Sequence, residues 1–190
     1  MKQEKILHIK NMVCNRCILA VEDVLDKQQI AFEKVELGKA YLKTDITNTD
    51  LQKLSKDLLN IGFEILQDEK SRLLEQIKNE IVRLVHYQDG ELQINLSDHL
   101  SEKFGKDYST LSGVFSKETG ITLEKYLILQ KIERAKELLA YNEMNISEIS
   151  YLLGYSSVAH FSAQFKKITG YTPSQFRKLE RQERRSLDGI

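Results

Sequence analysis

Two cysteines, Cys14 and Cys17, carry the most distinctive chemistry in this sequence. They are its only cysteines, and two residues separate them in a C-x-x-C pattern. Where a helix begins at such a pair, both sulfurs reach one loop, and the helix N-terminus stabilises the thiolate form. Paired thiolates can bind a soft metal ion such as Cu(I), or they can form a reversible disulfide.

The choice of metal depends on how many ligands surround the cysteines. A structural zinc ion usually takes four ligands, and His8 is the only third candidate near the pair. On an alternating strand, His8 should face away from Leu7 and Ile9, so zinc would need a second chain or outside ligands. We therefore predict Cu(I) or another soft ion at Cys14 and Cys17. Two alternatives stay open: the cysteines could form a reversible disulfide, or the fold could be inherited and now use this loop for another purpose.

The first 67 residues have a pattern of alternating strands and helices. Short β-prone segments at 6–10, 32–42 and 63–66 are separated by two stretches with apolar residues at helical spacing, 18–25 and 51–59. The segment 32–42 turns at Gly38, which divides it into two strands. This order predicts a ferredoxin-like βαββαβ domain over residues 1–67.

The same region resembles the heavy-metal-associated domain of copper chaperones and metal-pump modules, over about residues 5–67. The resemblance lies in Met12-Val13-Cys14-Asn15-Arg16-Cys17, between the first strand and the first helix, and in Gly62-Phe63 before the last strand. It implies metal binding by the two cysteines. The chain departs from that pattern at Asn11, where the family usually has glycine.

Composition sets wide limits on the function. The 190 residues are 41% hydrophobic, enough for two cores, and carry 28 basic and 28 acidic side chains. Residues 1–69 hold 10 basic against 12 acidic residues, and 70–190 hold 18 against 16, so charge alone indicates no partner. The first ten residues read as neither a signal peptide nor a membrane span. We expect a cytoplasmic protein without a membrane partner.

A helical pattern begins near Lys70, and no segment after it resembles a strand of any length. Its apolar positions fall on one helix face and comprise Leu73, Leu74, Ile77, Ile81, Leu84 and Val85. We place a domain boundary near Asp68, with an all-α domain over residues 68–180 and a charged, frayed tail over 181–190. The predicted fold class is α+β.

An internal repeat lies within the helical half. Leu111-Ser112, Phe115, Lys117, Thr119-Gly120, Thr122 and Tyr126 recur fifty residues later as Phe161-Ser162, Phe165, Lys167, Thr169-Gly170, Thr172 and Phe176. Each repeat predicts a helix, a turn and a second helix, the helix-turn-helix arrangement. Asn145 and Glu148 are spaced as a capping box for the second unit, and in the first unit Asn95 and Ser97 could both serve as the cap. An amphipathic helix between the units, with Lys131, Arg134 and Lys136 on its wetter sides, should hold them at a fixed separation.

Residues 70–179 resemble the AraC/XylS family of regulators. The match is most specific from Leu153-Gly154-Tyr155 through Phe165-Lys166-Lys167 and in Gly170-Tyr171-Thr172-Pro173. The resemblance implies a seven-helix domain whose two recognition helices enter successive major grooves of double-stranded DNA. Many family members have arginine at the positions of Gly113 and Ala163, so base readout here should rely on serines, His160 and thymine-methyl contacts.

Helical geometry selects the candidate DNA-binding residues. With Phe161, Phe165 and Ile168 taken as the buried stripe, small and polar residues of the second recognition helix turn outward. The full candidate set comprises Ser109, Ser112, Gly113, Ser116, Lys117, Ser156, Ala159, His160, Ser162, Ala163, Lys166, Lys167 and Arg177. Lys117, Lys166, Lys167 and Arg177 are assigned to phosphates, which fix register and add salt-dependent affinity. The plain alternative is a helical bundle whose serines and alanines cover a solvated face.

The sequence therefore predicts a DNA-binding transcription regulator that responds to a soft metal ion or to thiol redox state. In the alternative, the N-terminal domain only dimerises the chain or docks a partner. A metal carrier or thiol oxidoreductase fits less well, because the C-terminal half would then be incidental. Redox enzymes also usually set C-x-x-C near a cis-proline, and the only proline here is Pro173. No catalytic triad or phosphate-binding glycine loop is present, so no enzyme is predicted. RNA polymerase and a second copy of the chain stay open as partners.

Overall fold

The structure is a computed structural model that describes residues 5–87 and 95–179. Its elements are β1 (Lys5–Lys10), α1 (Asn15–Lys27), β2 (Phe32–Glu36), β3 (Lys39–Leu42), α2 (Asn48–Asn60), β4 (Glu64–Leu66), α3 (Glu69–His86), α4 (Leu96–Phe104), α5 (Tyr108–Thr119), α6 (Leu123–Tyr141), α7 (Ile146–Leu152) and α8 (Val158–Thr169). Residues 173–179 are also helical. The predicted tail, 181–190, lies outside the described residues.

The chain divides into two compact units, residues 1–80 and 81–190, and α3 contributes residues to both. The domain boundary placed near Asp68 stays a prediction. In the first unit, the strand and helix order predicted for residues 1–67 is the order observed. Its four strands pair antiparallel in the sheet order β2-β3-β1-β4.

The core of the first unit lies between the sheet and helices α1 and α2. These helices form because their apolar residues recur every three or four positions and line one face. The buried cluster takes members from both helices, from the sheet and from the loops before α1 and β4: Ile9, Met12, Val21, Val24, Leu25, Val35, Ala40, Leu42, Leu54, Leu58 and Phe63. Leu7 also packs against this cluster, so the strand alternation predicted for Leu7, His8 and Ile9 is confirmed.

Polar contacts join the first half of α3 to the sheet. The Gln76 side-chain amide lies 3.3 Å from Nδ1 of His8, and Arg72 Nε donates to the Leu66 carbonyl at 3.1 Å. Glu75 and Asn79 are only 7% and 8% exposed, although both are polar. Among the apolar residues predicted to share one face of α3, Ile77, Ile81, Leu84 and Val85 are buried as well.

The second unit repeats one helical arrangement, as predicted. Leu100, Leu111 and Phe115 are fully buried in α4 and α5, while Phe161 and Phe165 are fully buried in α8. Helices α5 and α8 both end at a glycine with positive φ, Gly120 and Gly170. Glycine adopts this left-handed conformation without the steric cost of a Cβ atom.

No helix within 5–87 or 95–179 is both long enough and apolar enough to cross a membrane.

Gly38 should be intolerant of a side chain. Its φ is +80°, and a Cβ atom there would lie 2.2 Å from Nδ2 of the buried Asn79. Gly62 has φ +89° with nothing near its Cβ position, so Gly62→Ala isolates the backbone strain. We expect Gly62→Ala to cost about 1–2 kcal/mol of unfolding free energy and Gly38→Ala to cost measurably more. Chemical denaturation measures both.

Asn79→Ala should recover part of the loss in Gly38→Ala, because it removes the clashing amide. Equal losses for Gly38→Ala and Gly62→Ala would contradict this account of the β2–β3 turn.

His8 should make the first unit less stable in mild acid. Burial lowers the pKa of His8 below its ordinary 6.5, and nearby Lys39 and Arg72 lower it further. The unfolded chain then takes up a proton before the folded one does, so stability present above pH 6.5 is lost as pH falls toward the folded pKa. Chemical denaturation at pH 7.5 and 5.5 should show a larger loss for the native chain than for His8→Gln. Equal losses in the two proteins would refute this role of His8.

Candidate nucleic-acid interface and cysteine pair

The loop before the cysteines is held in place at Asn11. This residue has φ +70°, a conformation that asparagine tolerates better than most residues. Its side-chain amide donates to the Gly62 carbonyl at 2.9 Å, and its backbone N–H donates to Oε1 of Glu75 at 2.9 Å. Asn11 therefore fixes the left-handed turn of this loop, and the buried Glu75 carboxylate, which sequence analysis missed, links the loop to α3.

The two cysteine thiols lie together at the N-terminus of α1. Cys14 is the N-cap residue, both side chains are partly exposed, and the sulfurs are 3.4 Å apart. The pKa of Cys14 lies below its usual value, chiefly because the backbone N–H and then the thiol of Cys17 hydrogen-bond its sulfur. Positive charge on Arg16 acts in the same direction. These interactions favour the thiolate form of Cys14.

A third metal ligand is missing from the part of the chain that the structure describes. No group of three or more His, Cys, Asp or Glu side chains there could hold a metal ion. His8 bonds Gln76 on α3 and lies on the face opposite Leu7 and Ile9. The donor set suits a soft ion of low coordination number, such as Cu(I), and does not suit a four-coordinate zinc ion.

Matching bonds recur in the two helix-turn-helix units, α4–α5 and α7–α8. The Thr119 hydroxyl donates to the Phe115 carbonyl at 2.7 Å, and the Thr169 hydroxyl donates to the Phe165 carbonyl at 2.9 Å. The aromatic pairs Phe115–Tyr126 and Phe165–Phe176 have centroid separations of 5.3 and 5.6 Å. These equivalent contacts confirm the fifty-residue repeat.

The capping box predicted for α7 is also confirmed. The Glu148 N–H donates to the Asn145 side chain at 3.0 Å, and the Asn145 N–H donates to the Glu148 carboxylate at 2.7 Å. This reciprocal pair satisfies two N–H groups at the helix start and fixes where α7 begins. For α4, where Asn95 and Ser97 were both candidates, Asn95 is the cap and accepts from the Ser97 N–H at 3.1 Å.

Helix α8 has a wet face of small and basic side chains. Its exposed candidates, together with Ser156 in the preceding turn, are Ala159, His160, Ala163, Lys166 and Lys167. Ser162 is half-buried, and Ser157 caps the helix by accepting from the His160 N–H at 3.2 Å. Small side chains on this face would let the helix backbone approach base edges closely.

The exposed face of helix α5 is less basic than that of helix α8. Ser109, Gly113 and Lys117 are exposed, whereas Ser112 and Ser116 are half-buried. The Ser116 hydroxyl donates to the Ser112 carbonyl at 2.7 Å, which leaves its oxygen available as an acceptor. The roles of all these residues in DNA contact stay predictions.

Two details of the second unit differ from expectation. Ile168 was assigned to the buried stripe of α8 but is 38% exposed, because Phe161 and Phe165 already fill the core beneath this helix. Arg177 was assigned to a phosphate, yet it is half-buried and its guanidinium donates to the Met144 carbonyl at 2.7 Å. Arg177 therefore has a structural contact inside the unit, and its phosphate contact stays a prediction.

Sequence analysis also missed a contact between two side chains near the start of α8. Lys131 of α6 was placed on a wetter side, but it is partly buried with its Nζ 5.3 Å from the ring centroid of Tyr155. Tyr155 lies in the turn between α7 and α8 and is only 6% exposed. The helical spacing of α6 gave no signal for this pair, because Lys131 adjoins the buried stripe rather than lying on it.

Known proteins match the second unit. A family model described as "Helix-turn-helix domain" matches residues 100–179. The Msm operon regulatory protein of Streptococcus mutans is 32% identical over 101 residues, which are 53% of this chain and 35% of that protein. The HTH-type transcriptional activator RhaS of Escherichia coli is 29% identical over 117 residues, which are 57% of this chain and 41% of that protein. The chain thus spans well under half the length of these relatives.

A solved structure agrees with these matches. The C-terminal domain of AraT, a response regulator from Geobacillus stearothermophilus, is 27% identical with a TM-score of 0.50 and covers 59% of this chain and 88% of that one. Together with the duplicated bonds of the α4–α5 and α7–α8 units, the comparisons show that residues 100–179 form a helix-turn-helix domain similar to those of AraC-type regulators.

Proposed function

We propose that this chain is a sequence-specific transcription regulator, and not an enzyme, that binds double-stranded DNA through both helix-turn-helix units. The observation that carries the proposal is the duplication of one helix-turn-helix geometry, in which α5 and α8 each expose a face of small and polar residues. Relatives named as an operon regulatory protein and a transcriptional activator support it.

Two recognition helices on one chain can read a site without two-fold symmetry. In helix-turn-helix proteins the second helix enters the major groove, and paired half-sites lie about 10 base pairs apart. We assign α5 to one groove and α8 to the next. Because each unit has different outward residues, the two half-sites should differ in sequence.

The lysines of α8 supply affinity rather than sequence choice. Lys166 and Lys167 are exposed in its last turns, whereas α5 offers Lys117 alone among the assigned cations. Each phosphate that a lysine neutralises releases condensed counterions, so the affinity falls with added salt. The α8 unit should therefore contribute more of the salt-dependent binding than the α5 unit.

Replacing Lys166 by alanine should weaken binding to every DNA sequence alike. The slope of log affinity against log salt concentration should become shallower by about 0.9 for the one phosphate lost. Fluorescence anisotropy of a labelled duplex, titrated at several salt concentrations, measures both effects. Lys53→Ala is the matched control, because it removes the same charge from an exposed position of α2. An unchanged slope in Lys166→Ala would remove this residue from the interface.

The first unit is proposed as the sensor, a ferredoxin-like domain of the heavy-metal-associated type. The βαββαβ order and the sheet order β2-β3-β1-β4 support this assignment. The 3.4 Å sulfur separation and the lowered pKa of Cys14 support two soft ligands or a thiol pair. Cys14 and Cys17 would hold a Cu(I) ion, which would supply the soft positive charge that thiolate ligands prefer.

Coupling between sensor and DNA would run through α3. An effector shifts an equilibrium only if it binds one arrangement better than another. Glu75 of α3 accepts the Asn11 N–H three residues before Cys14, so a change in the cysteine loop acts on a side chain of this helix. Within the second unit, Nε2 of His86 at the end of α3 lies 3.3 Å from Oε1 of Gln130 on α6. Glu75 lies in the first half of α3 and His86 is its last residue, so the helix makes a specific side-chain contact within each unit.

A second candidate role for the first unit is dimerisation or partner docking, including docking to RNA polymerase. The sheet favours it, because β2 and β4 are edge strands whose outer backbone groups could pair with another strand. The two roles differ in their response to metal. Anisotropy of the reduced protein with and without one equivalent of Cu(I) separates them, since only a sensor changes its DNA affinity.

Each cysteine should be required for metal binding. Cys14→Ser and Cys17→Ser should each abolish tight Cu(I) binding by the reduced protein, because a single thiolate leaves the ion with one soft ligand. Competition against a colorimetric Cu(I) chelator measures the affinity. Asn15→Ser, between the cysteines, serves as a loop control that keeps both sulfurs. Tight binding retained by either cysteine variant would defeat the metal proposal.

A further inference from the structure

A stack of three side chains leads from α6 to the first turn of α8. Nζ of Lys131 lies 5.3 Å from the ring centroid of Tyr155. The Tyr155 ring meets the imidazole of His160 with centroids 5.5 Å apart and planes at 81°, an edge-to-face contact. His160 is exposed on the outer face of α8, so the stack joins a partly buried cation to a candidate base-reading residue.

Lys131 depends on the aromatic ring for compensation of its charge. Within the described residues, no carboxylate lies at ion-pair distance from its Nζ. Burial lowers the pKa of Lys131, since the ammonium has lost part of its hydration. The electron-rich ring of Tyr155 is the group that attracts this cation, so Lys131 and Tyr155 hold each other in place.

Tyr155 contributes its ring rather than its hydroxyl. The hydroxyl is buried and makes no hydrogen bond within the described part of the chain, and burial raises the pKa of Tyr155 to about 12. The ring also packs 5.2 Å from the Phe161 ring, and the Tyr155 N–H donates to the Ser150 carbonyl at 3.0 Å. Backbone and ring are both fixed, which makes Tyr155 a rigid support.

His160 gains a defined orientation from this support. An exposed side chain otherwise samples several rotamers and loses that freedom when it binds. The edge-to-face contact with Tyr155 restricts the imidazole before DNA arrives. On α8, His160 is the exposed imidazole beside Ala159 and Ala163, where its ring nitrogens can donate to or accept from base edges.

We propose that Tyr155, held by Lys131, is a positioning residue that fixes the His160 imidazole toward the DNA and so sets the base preference of the α8 unit. The proposal rests on the proposed DNA-binding function. It assigns to Lys131 and Tyr155 an effect on which sequence is chosen, beyond their place in the core. Neither residue touches the DNA in this account.

The test uses the full chain and a duplex selected from a random library by the native protein. Discrimination is the ratio of Kd for an unrelated duplex to Kd for the selected one, at fixed salt. His160→Ala should lower this ratio roughly tenfold, as expected for the loss of one base contact. Tyr155→Leu should lower it to a similar extent, and the double variant should be no worse than His160→Ala alone. Tyr155→Phe, which keeps the ring, should retain the native ratio.

If Tyr155→Leu does not fold, Lys131→Met takes its place in the test. This variant removes the cation but leaves a side chain of similar length, which preserves the packing of the core. Lys131→Met should lower the discrimination ratio of the native chain. Added to His160→Ala, it should not lower the ratio any further. The imidazole proton shifts of His160 give a second readout without DNA, since the Tyr155 ring current displaces them. They should move toward unstructured values in Tyr155→Leu, or in Lys131→Met.

The outcomes separate this inference from the function on which it rests. The positioning role would be overturned if the losses of discrimination from His160→Ala and from Tyr155→Leu, or Lys131→Met, were additive. Imidazole shifts that do not move would overturn it as well, and both results would leave DNA binding intact. Failure of the native chain to select any duplex would instead overturn the regulator proposal and the positioning role with it. Non-additive losses with displaced imidazole shifts are the expected result.

Discussion

The burial of α6 against the second helix-turn-helix unit is the constraint on which the proposed DNA-binding surface depends. Ile132, Ala135 and Leu139 recur at helical spacing and are 1% exposed or less. They share one core with Phe161 and Phe165 of α8. Close-packed cores of this kind tolerate little change of shape, so the core fixes both the depth and the rotation of α8. The exposed side of α8 is a direct consequence of that rotation.

Lysine side chains have two separate electrostatic roles in the second unit. In the proposed interface, exposed lysines such as Lys166 would attract phosphate without any cost of burial. Lys131, by contrast, is partly buried and is compensated by an aromatic face. A charge of the first kind strengthens binding to any DNA, whereas a charge of the second kind stabilises one local arrangement. The chain has the same residue type in both roles, and burial decides between them.

Periodicity and repetition predicted most of the fold from the sequence. The strand and helix order of the first unit, the fifty-residue repeat and the Asn145 capping box all follow from local patterns that tertiary packing does not override. The failures share a physical cause. Ile168 fits the apolar stripe by type but lies beyond the two phenylalanines that fill the core, and Glu75 is polar yet buried because it accepts a backbone N–H from a distant loop. Spacing along one helix carries no information about such partners.

The central claim is that one chain places two recognition helices in successive major grooves. A hydroxyl-radical footprint of the full chain on a selected duplex tests it most directly, because this probe resolves protection at single nucleotides. The account predicts two protected windows on each strand, with centres about 10 base pairs apart, and weaker protection of both as salt is raised. A single protected window per bound chain, with the second half-site free to vary in sequence, would contradict it.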